Sequence, residues 1–257
     1  TTSSAQPHEV CQATPCREED SQSEDEFWNR FTRQGYDLFI NRIKPLLPMT
    51  QSYDLGKQMP QVVILAGGLG TRLGEFTANT PKSLVEVNNK PIINYILDWV
   101  KGQGWKDILI LTGHLGEQFT DFSYPDLNLN FIQESEPLGT GGALWNAVDE
   151  LADEFILLWG DDLHPVDYKP LLVKHRENQA LMTMTVTQQH EIMNLQHRDG
   201  LVIAYDKNNQ GDHFNGYEAG TSIVSKKLVL LFGKSGKWSW EERVYPALSG
   251  KIYAHID

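Results

Sequence analysis

The sequence predicts an α/β protein built on a doubly wound, mainly parallel sheet. Three observations lead there. From residue 59 on, apolar runs of strand length alternate with segments of helical periodicity, the order that places helices on both faces of a parallel sheet. The first run, Val62-Val63-Ile64-Leu65, is continuous rather than alternating, as in strands covered on both faces. A glycine-rich turn follows that run directly, at the sheet edge where such folds bind ligands.

Residues 1–25 are rich in Ser, Gln and Thr, and a charge run spans 18–26. This composition is that of a disordered acidic tail. Residues 26–58 read as a helical extension and linker. Phe27, Trp28, Phe31, Tyr36, Phe39, Ile40, Ile43 and Leu47 recur roughly at helical spacing, Gly35 interrupts them, and Pro45 and Pro48 end them. Residues 59–257 form the main domain. Its expected strands are 61–66, 107–112, 129–133, 155–159, 181–188, 201–205, 219–224 and 251–256. Its expected helices are 91–100, 115–122, 142–151 and 168–178. In the first helix Ile92, Ile93, Ile96, Leu97 and Val100 share one face, and Pro91 suits a first turn.

With 257 residues the chain can bury a sizeable core. Its net charge of -12 repels phosphate backbones, so nucleic acid is not an expected partner. No run of about 18 apolar residues and no basic segment before an apolar stretch occurs, so neither a membrane span nor a secretory signal is expected. Cys11 and Cys16 have no metal-ligand pattern around them and read as reduced thiols of a cytoplasmic protein.

The stretch 65–91, LAGGLGTRLGEFTANTPKSLVEVNNKP, is the most informative. Gly67, Gly68 and Gly70 let the backbone turn sharply and bring its N–H groups close to a ligand. Arg72 and Lys82 add positive charge beside that loop, which a triphosphate requires. Two other glycine loops are excluded by spacing. Leu73 stands where the dinucleotide fingerprint needs its last glycine, and no Gly-Lys-Ser/Thr tripeptide occurs.

The stretch resembles the signature of the sugar-phosphate nucleotidyltransferases. That family includes glucose-1-phosphate thymidylyltransferases, N-acetylglucosamine-1-phosphate uridylyltransferases and mannose- or heptose-1-phosphate guanylyltransferases. The resemblance covers about residues 60–257 and implies their Rossmann-like fold. It implies that Leu65, Ala66, Gly67, Gly68, Gly70 and Thr71 wrap the nucleotide, and that Arg72 and Lys82 act in catalysis by neutralising the triphosphate. Ser83 departs from the pattern, since many members carry a second proline there; the departure is expected to matter little.

The expected strand 155–159 runs into Gly160-Asp161-Asp162. Carboxylates just past a strand's carboxyl end face the ligand edge of such a sheet, and magnesium favours one or two carboxylates with phosphate oxygens and water. Asp161 matches the family's metal-holding aspartate, so Mg2+ is the implied cofactor. The family's second metal ligand lies in a late strand, before a Gly-Thr pair. Asp257 matches its position, and the sequence ends there.

The run ESEPLGTGGAL over 134–144 looks most like that of the guanylyltransferases. The resemblance places Glu134, Gly139 and Thr140 at the nucleotide base, while Thr140 could instead cap a helix. An ionised carboxylate only accepts hydrogen bonds, which suits the adjacent N1–H and N2–H donors of guanine. GTP is therefore the favoured donor, with CTP or UTP next. On the acceptor side, Lys207 in Tyr205-Asp206-Lys207 resembles the lysine that holds the acceptor's phosphate, and Glu218 resembles the group that reads its hydroxyls. Gly142 belongs to the same acceptor set. Trp159, Trp238 and Trp240 read as packing, with an aromatic floor under a sugar as the alternative.

The expected partners are therefore a nucleoside triphosphate and a sugar 1-phosphate. The expected chemistry is in-line attack by the acceptor phosphate on the α-phosphorus, with no covalent enzyme intermediate. A cytidylyltransferase acting on phosphocholine and a catalytically silent subunit that binds nucleotide sugar are the rivals. A homo-oligomer stays open, with residues 26–58 able to cover the sheet, mediate dimers or belong to another domain.

Overall fold

The computed structural model describes residues 59–208 and 213–257. The stretches expected to form an acidic tail and a helical extension, and both cysteines, lie outside the described residues. A nine-stranded sheet forms the centre. Within it, β1 (Gln61–Ala66) pairs in parallel with β4 (Asp107–Thr112) on one side and β6 (Glu154–Trp159) on the other. β5 (Asn128–Gln133) extends the sheet beyond β4, also in parallel. β2 (Glu86–Val87) and β3 (Lys90–Pro91) make a separate small hairpin.

Beyond β6 the sheet changes character. β10 (Tyr217–Ser225) inserts antiparallel between β6 and β7 (Met182–Thr187). β11 (Ile252–Ile256) then runs parallel to β7, and β9 (Leu201–Tyr205) and β8 (Leu195–Arg198) finish that edge in antiparallel pairing. β9 and β10 run against the other strands, so the mainly parallel reading holds.

Alternation along β1 explains the two-sided burial. Val63 and Leu65 enter one apolar cluster, whereas Val62, Ile64 and Ala66 enter the other. The second cluster is roofed by α1 (Ile92–Gly102), through Ile93, Ile96, Leu97 and Val100, and by Leu171 and Leu172 of α3 (Tyr168–Glu177). The first packs against Leu144 of α2 (Gly139–Asn146), α4 (Lys226–Phe232) and α5 (Trp240–Ala247). Helices thus cover both faces, as expected of a doubly wound sheet. Among the described residues no helix is long and apolar enough to cross a membrane.

Several expected elements shift. The helix expected at 142–151 begins at Gly139, ends at Asn146 and is followed by a short 3-10 turn, Val148–Glu150. The helix expected at 115–122 is a single 3-10 turn, Gly116–Phe119. β8, α4 and α5 were not expected at all.

Candidate active site

Strands β1, β4 and β6 end nearly level, with Ala66 opposite Thr112 and Leu65 opposite Trp159. The loops that follow them therefore gather at one sheet edge. There the segments after β1, β5 and β6 line a cavity of about 810 Å³ together with residues from β9, β10 and α5. The Gly160 amide donates to the Leu65 carbonyl at 2.8 Å, which fixes the two loops against each other.

The glycine loop leaves β1 and turns at Gly70, whose φ of 64° lies in the left-handed region. A 3-10 turn, Thr71–Thr77, follows. The Leu73 amide and the Thr77 hydroxyl donate to the Gly70 carbonyl at 2.9 and 3.0 Å. A Cβ on Gly70 would meet the Thr77 methyl at 2.7 Å, whereas one on Gly68 would meet nothing within 4 Å. The main chain at Gly68 is thus open to the cavity. Leu65, Ala66, Gly67, Gly68, Gly70 and Thr71 all line it. The backbone of Arg72 lies in the 3-10 turn, and its side chain is outside the described residues.

Lys82 opens a short 3-10 turn, Lys82–Leu84, and its ammonium pairs with Asp161 Oδ2 inside the cavity. These two groups are 79 positions apart in sequence. Asp162 also lines the cavity; burial and then the neighbouring Asp161 charge push its carboxyl upward. Asp257 stands outside the cavity lining. Its amide donates to the Val186 carbonyl at 3.0 Å, and its Oδ2 lies 3.2 Å from His164 Nε2, three positions past Asp161.

The donor set can be tested against Mg2+. Among the described residues no three His, Cys, Asp or Glu groups converge as an all-protein metal cage. Magnesium bound with phosphate needs less than that: one or two hard carboxylates lining the cavity, beside phosphate oxygens and water. Asp161, facing Lys82, meets the requirement, so the residues present fit the ion.

Glu134 follows β5. Its Oε2 accepts from the Leu138 amide at 3.2 Å, and its Oε1 would lie 2.9 Å from a Cβ on Gly67. Burial raises its carboxyl, and the Leu138 N–H opposes that shift. Glu134 therefore touches the glycine loop, and Gly139 and Thr140 line the cavity wall with it.

Thr140 does not cap its own helix. Its hydroxyl accepts from the Trp240 amide at 2.8 Å and donates to Glu241. Gly142 is a second correction: it lies against protein rather than ligand space. A Cβ there would meet the Gly236 carbonyl at 2.6 Å, and Gly142 is absent from the cavity lining. A Cβ at Gly141 would meet the Trp238 ring at 2.2 Å. The small residues of this helix make room for the segment that leads into α5.

Across the cavity, Lys207 lies 3.2 Å from Glu241 and 3.6 Å from Glu242. Glu218 Oε1 accepts from the Gly220 amide at 2.9 Å, across a register shift in β10 that contains Gly220 at φ 73°. Burial, more than the nearby Glu241 and Asp162 charges, pushes the Glu218 carboxyl up to about 7. Trp159 lines the cavity, whereas Trp238 and Trp240 are buried packing residues.

Comparison with known proteins agrees with this arrangement. The family described as Nucleotidyl transferase matches residues 61–206, more than half the chain. The chain belongs to the nucleotidyltransferase family. A D-glycero-alpha-D-manno-heptose 1-phosphate guanylyltransferase of Aneurinibacillus thermoaerophilus is 30% identical over 190 residues, which are 71% of this chain and 82% of that one. A choline-phosphate cytidylyltransferase of Streptococcus pneumoniae is 39% identical, over 98 residues and 38% of this chain, 43% of that one. The crystal structure of HddC from Yersinia pseudotuberculosis complexed with GMP-PN superposes with a TM-score of 0.66 and 28% identity, covering 77% of this chain and 91% of that one.

In this nucleotidyltransferase, sequence reasoning missed several cavity groups. His190 and Tyr217 stack at 3.8 Å in the cavity lining, and neither sits in a recognisable motif. Lys237 and Glu241 come from α5 and the segment before it. One signal for that helix was present: Ser239 and Glu242 have capping-box spacing, and the Ser239 hydroxyl accepts from the Glu242 amide at 3.3 Å. Ser83 also lines the cavity, at 1% exposure, and its hydroxyl has no partner among the described residues.

Proposed function

We propose that this nucleotidyltransferase joins a nucleoside triphosphate, GTP in preference, to a sugar 1-phosphate and releases pyrophosphate. One juxtaposition carries the reading. A single cavity holds the glycine loop with the Lys82–Asp161 pair, from one half of the sheet, and Lys207 with Glu218, from the other. Two anionic substrates can lie there side by side.

A phosphate oxygen of the acceptor attacks the α-phosphorus in line. The bond from the α-phosphorus to the bridging oxygen breaks, and pyrophosphate departs with those electrons. No bond to the protein forms, so positioning and charge neutralisation supply the catalysis. Main-chain N–H groups of the glycine loop orient the phosphates. Lys82 lowers the repulsion between the two anions, and Arg72 takes charge from the departing pyrophosphate. Lys207 holds the acceptor's phosphate, and Glu218 accepts from its hydroxyls. Mg2+ would be held by Asp161 and would supply neutralisation of the phosphate oxygens.

Glu134 supports the choice of base. Its Oε1 is not engaged by the Leu138 amide, so it can accept from the donor edge of guanine. Similarity to a heptose 1-phosphate guanylyltransferase points the same way.

The test is pyrophosphate release by the purified protein with Mg2+, using GTP, UTP, CTP, ATP and dTTP against heptose, mannose and glucose 1-phosphates and phosphocholine. GTP with a sugar 1-phosphate is the expected pair. Turnover of UTP or CTP more than about tenfold faster than GTP would overturn the base assignment. Preference for phosphocholine would give the cytidylyltransferase reading its place. Tight binding of a GDP-sugar without any turnover would make the protein a silent binding subunit.

A further inference from the structure

Glu241 belongs to no recognised motif, yet it is heavily engaged at the cavity. It is the second residue of α5 and is buried while still lining the cavity wall. Its Oε2 accepts from the Thr140 hydroxyl and, at 3.1 Å, from the Ser239 hydroxyl. Its Oε1 lies 3.2 Å from Lys207 Nζ. The Thr140 hydroxyl in turn accepts from the Trp240 amide. One carboxylate thereby joins the first turn of α2, the amino end of α5 and the lysine that follows β9.

Each partner needs the other. A buried carboxylate with its cation removed is an uncompensated charge, which is costly in a partly dry site. Lys207 is a point charge on a flexible stem and has no fixed direction of its own. Its second carboxylate, Glu242, is exposed and 3.6 Å away, so solvent weakens that hold. The two hydroxyls from Thr140 and Ser239 fix Oε2 in place and leave Oε1 turned toward the lysine.

We propose that Glu241 is a positioning residue: it holds the Lys207 ammonium in place within the cavity and ties it, through Thr140, to the nucleotide-side loop. This rests on the reading of Lys207 as the cation for the acceptor's phosphate. Glu241→Gln keeps an oxygen for the two hydroxyls and removes the charge that orients the lysine. The loop therefore stays in place while the lysine is released. The cost falls on the acceptor and spares the nucleotide.

The experiment is steady-state kinetics of the full chain with GTP and mannose 1-phosphate or heptose 1-phosphate, read by pyrophosphate release. Glu241→Gln is expected to raise the acceptor KM by about tenfold or more, with the GTP KM within about twofold of wild type. The double variant with Lys207→Met is expected to be no worse than Lys207→Met alone, because both changes remove the same interaction. Equal rises in both KM values, or fully additive losses, would overturn the proposal. A second measurement does not depend on turnover: the rate at which an amine-reactive ester labels Lys207, read by mass spectrometry. Release of the lysine raises that rate by about threefold in Glu241→Gln and leaves Lys237 unchanged. Should wild type turn over no acceptor, the proposed function fails, and the labelling still decides this point. Equal labelling of Lys207 in both proteins would then refute the role of Glu241.

Discussion

Ser83 lines the cavity, and its buried hydroxyl has no partner among the described residues, at the position where the sequence departs from the family's second proline. A buried hydroxyl left unmatched costs stability, and one matched by a ligand contributes about 0.5–1.5 kcal/mol. Ser83→Ala is therefore expected to raise the nucleotide KM by about two- to tenfold while the melting temperature stays level or rises. Kinetics beside a thermal melt check both parts. Glu218 yields a pH dependence with a defined sign. Its carboxyl is raised to about 7, so it is protonated below that pH and ionised above it. The ionised form can accept from acceptor hydroxyls through both oxygens, whereas protonation turns one of them into a donor. The acceptor KM should fall as pH rises through about 7, and Glu218→Gln should flatten that profile.

At the scale of elements, the contact of α2 with the segment entering α5 is the tightest constraint beside the site. The Gly141 amide donates to the Trp238 carbonyl at 3.0 Å, and the Trp238 ring occupies the space a Cβ would need. Gly141→Ala is expected to cost about 1–3 kcal/mol by overpacking, seen as a lowered midpoint in urea unfolding with an unchanged slope. Nothing in the run GTGGAL distinguishes glycines that admit a ligand from glycines that admit a tryptophan about a hundred positions away. The elements that could be read had local signals. β1, β4 and β9 match their expected bounds, because each is an apolar run ended by polar or glycine residues. β8 reads LQHR and buries fully only Leu195, so its strand character comes from pairing with β9. α4 reads KKLVLLF, a run as apolar as a strand, and its helix depends on the Ser225 cap, whose hydroxyl accepts from the Lys227 amide.

For the whole molecule, two apolar clusters on opposite faces of one sheet hold the strand ends that make the cavity. Glycine loop, Lys82, Asp161, Glu134, Lys207 and Glu218 were legible because each sits in a short local pattern. Glu241 was not, because its meaning lies in contacts 34 and 101 positions distant. Buried titratable groups also set how stability varies with pH. His175 is held neutral by burial, its pKa lowered to about 3; Glu154 lies 3.7 Å away but is already bound by Arg176 at 2.7 Å. The unfolded ring takes a proton below about 6.5, so stability is lost as pH falls from there toward 3. Glu218 works oppositely: stability is lost as pH rises from about 4.5 to about 7. The two oppose each other between about pH 4.5 and 6.5, and the His175 loss stands alone below that window. Denaturant melts across pH should show a steeper acid loss in wild type than in His175→Gln.

The central claim is that Asp161, facing Lys82 beside the glycine loop, anchors the metal–triphosphate complex. Its most direct test is the Mg2+-dependent rate of pyrophosphate release by Asp161→Asn, with the fold checked by circular dichroism. The account expects loss of most of the activity in a protein that stays folded. A folded variant that kept more than about a third of the wild-type rate would contradict it.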